Sequence, residues 1–261
     1  MQSFRDLRST NSAVEKWTSP RPNWRRSATP SRISSDGRVP GLAVPGNRYG
    51  RPAGNSPRGL LFRFWATAFF ALVLVSCGDP PPQLPKLSAD AVILAFGDSL
   101  TYGTGVKDYQ SYPAVLSQLI GREVVNAGVP GEVSAAGLKR LPIEIDRVDP
   151  DLLILCHGGN DMLRKKDMGQ AEANIRQMIR LARGQGIPVL MLGVPKPGLF
   201  LSAADHYQRI ADDLQVPIED EIIPELLGDN AYKSDAVHPN AKGYKRIAES
   251  VAALLKETGA I

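Results

Sequence analysis

The chain has almost no cysteine. Only Cys77 and Cys156 occur in 261 residues, so no disulfide framework holds it together. Histidine is as scarce, with three in all, and no Cys or His pair shows the spacing of a zinc site. No metal site is expected. Long apolar runs are missing too. The run Phe64 to Ser76 is thirteen residues, short of the ~20 that a membrane-spanning helix needs.

What is present is unevenly spread. Residues 1–63 hold twelve Arg and Lys against three Asp and Glu, and the remainder holds nineteen against twenty-four. The net charge of +4 is thus a basic leader added to a mildly acidic body, and it gives no ground for a nucleic-acid partner. Residues 1–59 are mostly Ser, Pro, Arg, Asn and Gly without periodicity, a composition expected to stay disordered. Residues 60–77 have the layout of a secretory signal peptide: Arg63 before the apolar run and small residues closing it. Leu74-Val75-Ser76-Cys77 resembles a bacterial lipobox, whose cysteine is lipidated. A signal without lipid, or a short buried helix or membrane anchor whose cysteine is incidental, are the alternatives. The Pro-rich 78–89 reads as an extended tether. The expected location is outside the cytoplasm, either on a membrane through Cys77 or free in a bacterial periplasm. More than fifty residues precede the signal, as a start codon set too early or an Arg- and Ser-rich transit-like leader would give.

From residue 90 strands and helices alternate. Short apolar runs at 91–96, 151–156 and 187–194, with weaker ones at 123–128 and 216–220, predict strands. Helical patterns cover 112–121, 134–146, 169–183, 203–214 and 240–256, with Pro142 expected to kink or end the second. Alternation of this kind implies a parallel sheet, and continuous apolar strands imply helices on both faces. Residues 90–261 therefore predict one α/β three-layer sandwich of about five parallel strands. The crevice of such a sheet lies beyond the carboxyl ends of its strands.

The segments at that edge carry chemistry. Gly97-Asp98-Ser99 follows the first strand, Asn126 to Gly131 the second, and Gly158-Gly159-Asn160-Asp161 the third; Asp235-Ala236-Val237-His238-Pro239 precedes the last helix. A hydroxyl, a glycine turn, a side-chain amide and an Asp/His pair are the parts for acyl transfer. Each residue also has an ordinary structural role open to it. Ser99 suits a turn, Gly131 follows Pro130 as a turn glycine, and Asn160 suits a helix cap. Asp98 and Asp161 are expected to be structural, Cys156 a buried small hydrophobe, His157 a crevice-lining residue and His206 exposed.

The stretches FGDSLTYGTG, NAGVPGEVSAAGLKRL, GGNDMLR and DAVHPN resemble, in order, the four sequence blocks of the GDSL or SGNH hydrolases. The likeness is to the bacterial arylesterase, thioesterase and lysophospholipase branch. It spans about residues 90–258 and implies a flavodoxin-like fold and a cofactor-free serine esterase or thioesterase acting on small acyl esters. It also implies Ser99 as nucleophile, His238 as general base, Asp235 as its orienter, and the Ser99 amide, Gly131 and Asn160 as oxyanion donors. Apolar residues near the crevice, namely Tyr102, Met162, Leu199 and Phe200, are expected to bind the acyl group. Two rivals stand beside this: an O-acetyl esterase acting on cell-wall or exported polysaccharide, and a catalytically silent, lipid-anchored binding protein.

Overall fold

A computed structural model describes residues 80–198 and 202–261; the leader, the signal-like segment, Cys77, Leu199 and Phe200 lie outside them. Five strands, β1 (Val92–Gly97), β2 (Glu123–Gly128), β3 (Leu152–Cys156), β4 (Val189–Leu192) and β5 (Ile218–Glu219), form one sheet in the order β2-β1-β3-β4-β5. All pairs are parallel. This is the flavodoxin-like doubly wound order. The central strands β3 and β4 are buried along their whole length, whereas the edge strands β2 and β5 are mixed. That distinction is why the first two read as unbroken apolar runs.

Eight α-helices cover the sheet among the described residues: α1 (Ser99–Tyr102), α2 (Tyr112–Ile120), α3 (Ser134–Val148), α4 (Gly159–Leu163), α5 (Met168–Gly184), α6 (Asp205–Leu214), α7 (Ile222–Gly228) and α8 (Ala241–Glu257). On one face α2 packs against α8, and on the other α3 packs against α5 and α5 against α6. The stripe Tyr244, Ile247, Ala248, Val251 and Leu255 of α8 is buried, as is Ile175, Met178, Ile179 and Ala182 of α5. Asp167 and Asn240 cap these two helices, each accepting two first-turn amides. Among the described residues no helix is long and apolar enough to cross a membrane.

Two expectations need correction, and a third is narrowed. Of the two outcomes expected at Pro142, a kink or an end, the helix does not end there: α3 runs through it from Ser134 to Val148. Leu141 and Ile145, fully buried on either side of the proline, hold the helix on the sheet despite the lost backbone bond. His206 is buried, not exposed: α6 turns residues 206, 207, 210 and 211 inward, and the His206 ring stacks on Tyr207 with centroids 4.1 Å apart. The tether expected over 78–89 is tied down in its described part. The Leu84 and Leu87 amides donate to the carbonyls of Thr258 and Ala260, and the Leu87 side chain is buried.

Candidate active site

The sheet register sets the site. Gly97 pairs with Gly128 on one side and Cys156 on the other, so the loops after β1, β2 and β3 leave the sheet at one level. After β1, Asp98 caps the single turn α1: its Oδ1 accepts the Leu100 amide at 3.1 Å. Ser99 is the first residue of that turn, where amides have no acceptor inside the helix. After β2, the Glu132 amide donates to Val129 O at 3.1 Å and Gly131 has φ +77°. Pro130 and Gly131 thus occupy the central positions of a type II turn, whose third residue must have positive φ. After β3, α4 begins with Gly159 and carries Asn160, whose Nδ2 donates to Asp98 Oδ2 at 3.0 Å. An amide nitrogen has two hydrogens, so one remains beyond the bond to Asp98.

The loop before α8 folds on its own aspartate. Asp235 Oδ1 accepts the amides of Val237 and His238, both at 2.8 Å, an Asx turn of the kind this residue favours. Its Oδ2 accepts His238 Nδ1–H at 2.7 Å. A carboxylate only accepts, so Nδ1 carries the proton and Nε2 is free to accept. Ser99 Oγ lies 2.9 Å from that Nε2 and donates to it. Burial pushes the Asp235 carboxyl up, but the bonds from the His238 ring and the two amides outweigh it and hold the group below its ordinary range. Asp98 is the opposite case. It is buried, and desolvation raises its pKa despite His157, the Leu100 amide and Asn160.

Ser99, Gly131, Asn160 and His238 all face one cavity of about 910 Å³. Its apolar wall includes Leu100, Leu163, Val194, Pro224, Leu227 and Val237. Two of the expected acyl-binding residues are elsewhere. Tyr102 is half exposed outside the cavity, its carbonyl accepting from the Asn126 side chain through Nδ2. Met162 packs against the core: at 100° per residue, α4 points Asn160 and Leu163 to the cavity and Met162 away. Leu199 and Phe200 are not among the described residues. Sequence reasoning missed α7, which supplies Pro224 and Leu227, because its run is short and a proline sits inside it. Pro224 is the third helical residue, where its missing N–H costs nothing.

His157 is not a lining residue. It is buried, its Nδ1 accepts the Gly158 amide at 3.2 Å, and its Nε2 lies 3.2 Å from Glu132 Oε2. Asp161 is structural: its carboxylate accepts both the Ser134 amide and the Ser134 hydroxyl at 2.8 Å. Cys156 is buried, and burial pushes its thiol up. Among the described residues no cluster of three or more His, Cys, Asp or Glu is placed to hold a metal ion. The geometric failure that a silent site requires is absent: hydroxyl, imidazole and carboxylate form one continuous hydrogen-bonded line.

Comparison with known proteins agrees with this chemistry. The model of the GDSL-like lipase/acylhydrolase family matches residues 95–246. Esterase TesA of Pseudomonas aeruginosa is 29% identical over 184 residues, 66% of this chain and 92% of that protein. Thioesterase 1/protease 1/lysophospholipase L1 of Escherichia coli K12 is 26% identical over 200 residues, 74% and 92% of the two chains. A crystal structure of TesA superposes with a TM-score of 0.59 at 28% identity, covering 64% of this chain and 99% of the other.

Proposed function

The chain belongs to the GDSL-like lipase/acylhydrolase family and is a carboxylic ester hydrolase, and from that premise we propose that Ser99, His238 and Asp235 carry its reaction. The observation behind the proposal is the line from Ser99 Oγ through the His238 ring to Asp235, opening on a largely apolar cavity. His238 Nε2 takes the Ser99 proton as Oγ attacks the acyl carbonyl. The amides of Ser99 and Gly131 and the Asn160 side chain receive the oxyanion. His238 then returns the proton to the leaving alcohol or thiol, leaving an acyl-serine. Water repeats the cycle: His238 takes its proton, the hydroxide adds to the acyl carbon, and Ser99 Oγ leaves with that proton. Asp235 keeps Nδ1 protonated throughout and stabilises the imidazolium.

The substrate class is an ester or thioester with an acyl chain longer than acetyl, including aryl esters, acyl-CoA or lysophospholipid. The apolar wall from α1, α4, β4 and α7 supports this over a polysaccharide O-acetyl group. Export by the segment 60–77, with membrane attachment through Cys77, is the placement its sequence supports. The hydrolase domain takes in the passage past Leu84 and Leu87, since both amides are bound to the C-terminal residues. The test is a series of nitrophenyl esters and acyl-CoAs of increasing chain length. Activity should rise from acetyl towards medium chains, and Ser99→Ala should lose on the order of 10⁴–10⁶ in kcat. Unchanged hydrolysis by Ser99→Ala overturns the mechanism, and best activity on acetyl esters overturns the substrate class.

A further inference from the structure

A second, buried charged cluster lies directly behind the Gly131 turn. Glu132 is the closing residue of that turn, and its carboxylate is only 8% exposed. Arg140 on α3 grips it with two nitrogens, Nε to Oε1 at 2.9 Å and a terminal nitrogen to Oε2 at 2.6 Å. The same terminal nitrogen donates to the carbonyls of Ala127 at 3.1 Å and Gly97 at 3.4 Å, at the carboxyl ends of β2 and β1. The guanidinium lies 4.1 Å above the Phe96 ring. From the other side comes His157, fully buried at the end of β3. Its Nδ1 accepts the Gly158 amide, so its Nε2 carries the proton and donates to Glu132 Oε2 at 3.2 Å. Burial alone would raise the Glu132 pKa, yet His157 and Arg140 hold it down at about 2. It is a carboxylate at every working pH.

Direction is what such an arrangement controls. Type I and type II turns differ by about 150° in ψ of the second residue and reverse the sign of φ at the third. The peptide between Pro130 and Gly131 is therefore turned over between them, and the Gly131 N–H points to opposite sides. A buried ion pair adds little net stability over an apolar replacement, whereas a bidentate Arg–carboxylate pair adds geometric specificity. We propose that Glu132 is a positioning residue: held by Arg140 and His157, it fixes the turn that aims the Gly131 amide and ties that turn to the loop carrying Asn160. This rests on the reading of Gly131 and Asn160 as oxyanion donors. Arg140 references the turn to the ends of β1 and β2, and His157 references it to the segment Gly158-Gly159-Asn160. The two donors come from different loops, and the Glu132–His157 bond links those loops.

The experiment uses the full chain with a short nitrophenyl ester and an alkyl boronic acid, whose tetrahedral serine adduct requires the oxyanion donors. Glu132→Gln and His157→Leu should lower kcat by about 10–100-fold, the scale of a misplaced group, with KM within about threefold. Both should weaken boronate inhibition in parallel. His157→Gln, which keeps a donor near the Nε2 position, should recover most of the activity, a rescue that stability alone would not track. Asn160→Ala serves as the reference. If it loses activity while Glu132→Gln and His157→Leu keep kcat and boronate affinity, the positioning role is overturned whatever happens to Tm. If Asn160→Ala and Ser99→Ala are both silent, the reading of the site fails and the inference falls with it. Should Glu132→Gln fail to fold, the contrast between His157→Leu and His157→Gln decides alone; equal kcat in those two overturns the proposal.

Discussion

Asp235 uses its two oxygens for different purposes. Oδ1 folds the loop by accepting the Val237 and His238 amides, and Oδ2 orients the His238 ring. Asp235→Asn separates the two. An asparagine oxygen still accepts the backbone amides, so the loop persists. Its NH₂ then faces Nδ1, which must become the acceptor, and the proton moves to Nε2. In that tautomer His238 cannot accept from Ser99. We expect kcat to fall by about 10⁴, as for the corresponding change in another Ser-His-Asp hydrolase, with Tm within a few degrees of the parent. A loss below tenfold, with the fold intact, would show that Asp235 does not set the tautomer. These residues were legible because each stands just past an apolar run or just before a helix, at the edge where a parallel sheet binds, and because four family-like blocks arrive in order. Glu132, Arg140 and His157 were not. A glutamate and an arginine eight residues apart look like solvated surface, and nothing in a sequence marks a charge as buried when its partner comes from another element.

Short elements decide where the long ones put the chemistry. β1, β3, β4 and the helices α2, α3, α5 and α8 could be read from periodicity, since each buries a run or stripe long enough to show it. α1 and α4 could not: four and five residues are too few for a repeat. α7 was hidden by Pro224, and β5 is a two-residue remnant of a longer expected strand. Yet α1 carries Ser99 and α4 carries Asn160. The backbone of α1 lies across the end of β2 so closely that a Cβ on Gly128 would stand 2.1 Å from the Tyr102 nitrogen and 2.7 Å from the Thr101 carbonyl carbon. Neither neighbour is a flexible side chain, so Gly128→Ala must move α1. Overpacking of this kind costs about 1–3 kcal/mol, and the displacement carries Ser99 away from His238. The expected result is a lower Tm together with a kcat loss of about tenfold or more, read by thermal unfolding and ester hydrolysis. A variant with the parent's kcat would mean that α1 and the Ser99–His238 contact tolerate the shift.

At the scale of the molecule, the entry of the chain into the sheet and the candidate site lie at opposite edges. The loops of the candidate site leave the carboxyl ends of the strands, where Gly97, Gly128 and Cys156 are level. The chain reaches the amino end of β1 past Leu84 and Leu87, which bond to Thr258 and Ala260 just beyond the end of α8. Arg122, just before β2, adds bonds to the carbonyls of Leu87 and Ser88 at 3.2 and 2.8 Å. The proline-rich composition of this segment reads as an extended tether, because the pattern of two leucines three residues apart is too short to announce a packed strap. Its contribution is measurable. A chain starting at residue 80 should keep the full kcat, since no described residue of the site lies before Asp98. A chain starting at residue 90 loses the fully buried Leu87 side chain and the half-buried Leu84, about 2–4 kcal/mol at ordinary apolar burial. For a domain of this size that is roughly 5–15 °C in Tm. Hydrolysis measured well below the lower Tm should still match, because the strap meets the sheet at the edge opposite the crevice. Equal melting of the two chains would show that the strap is dispensable, and a kcat loss in the shorter chain at low temperature would show that the two edges are coupled.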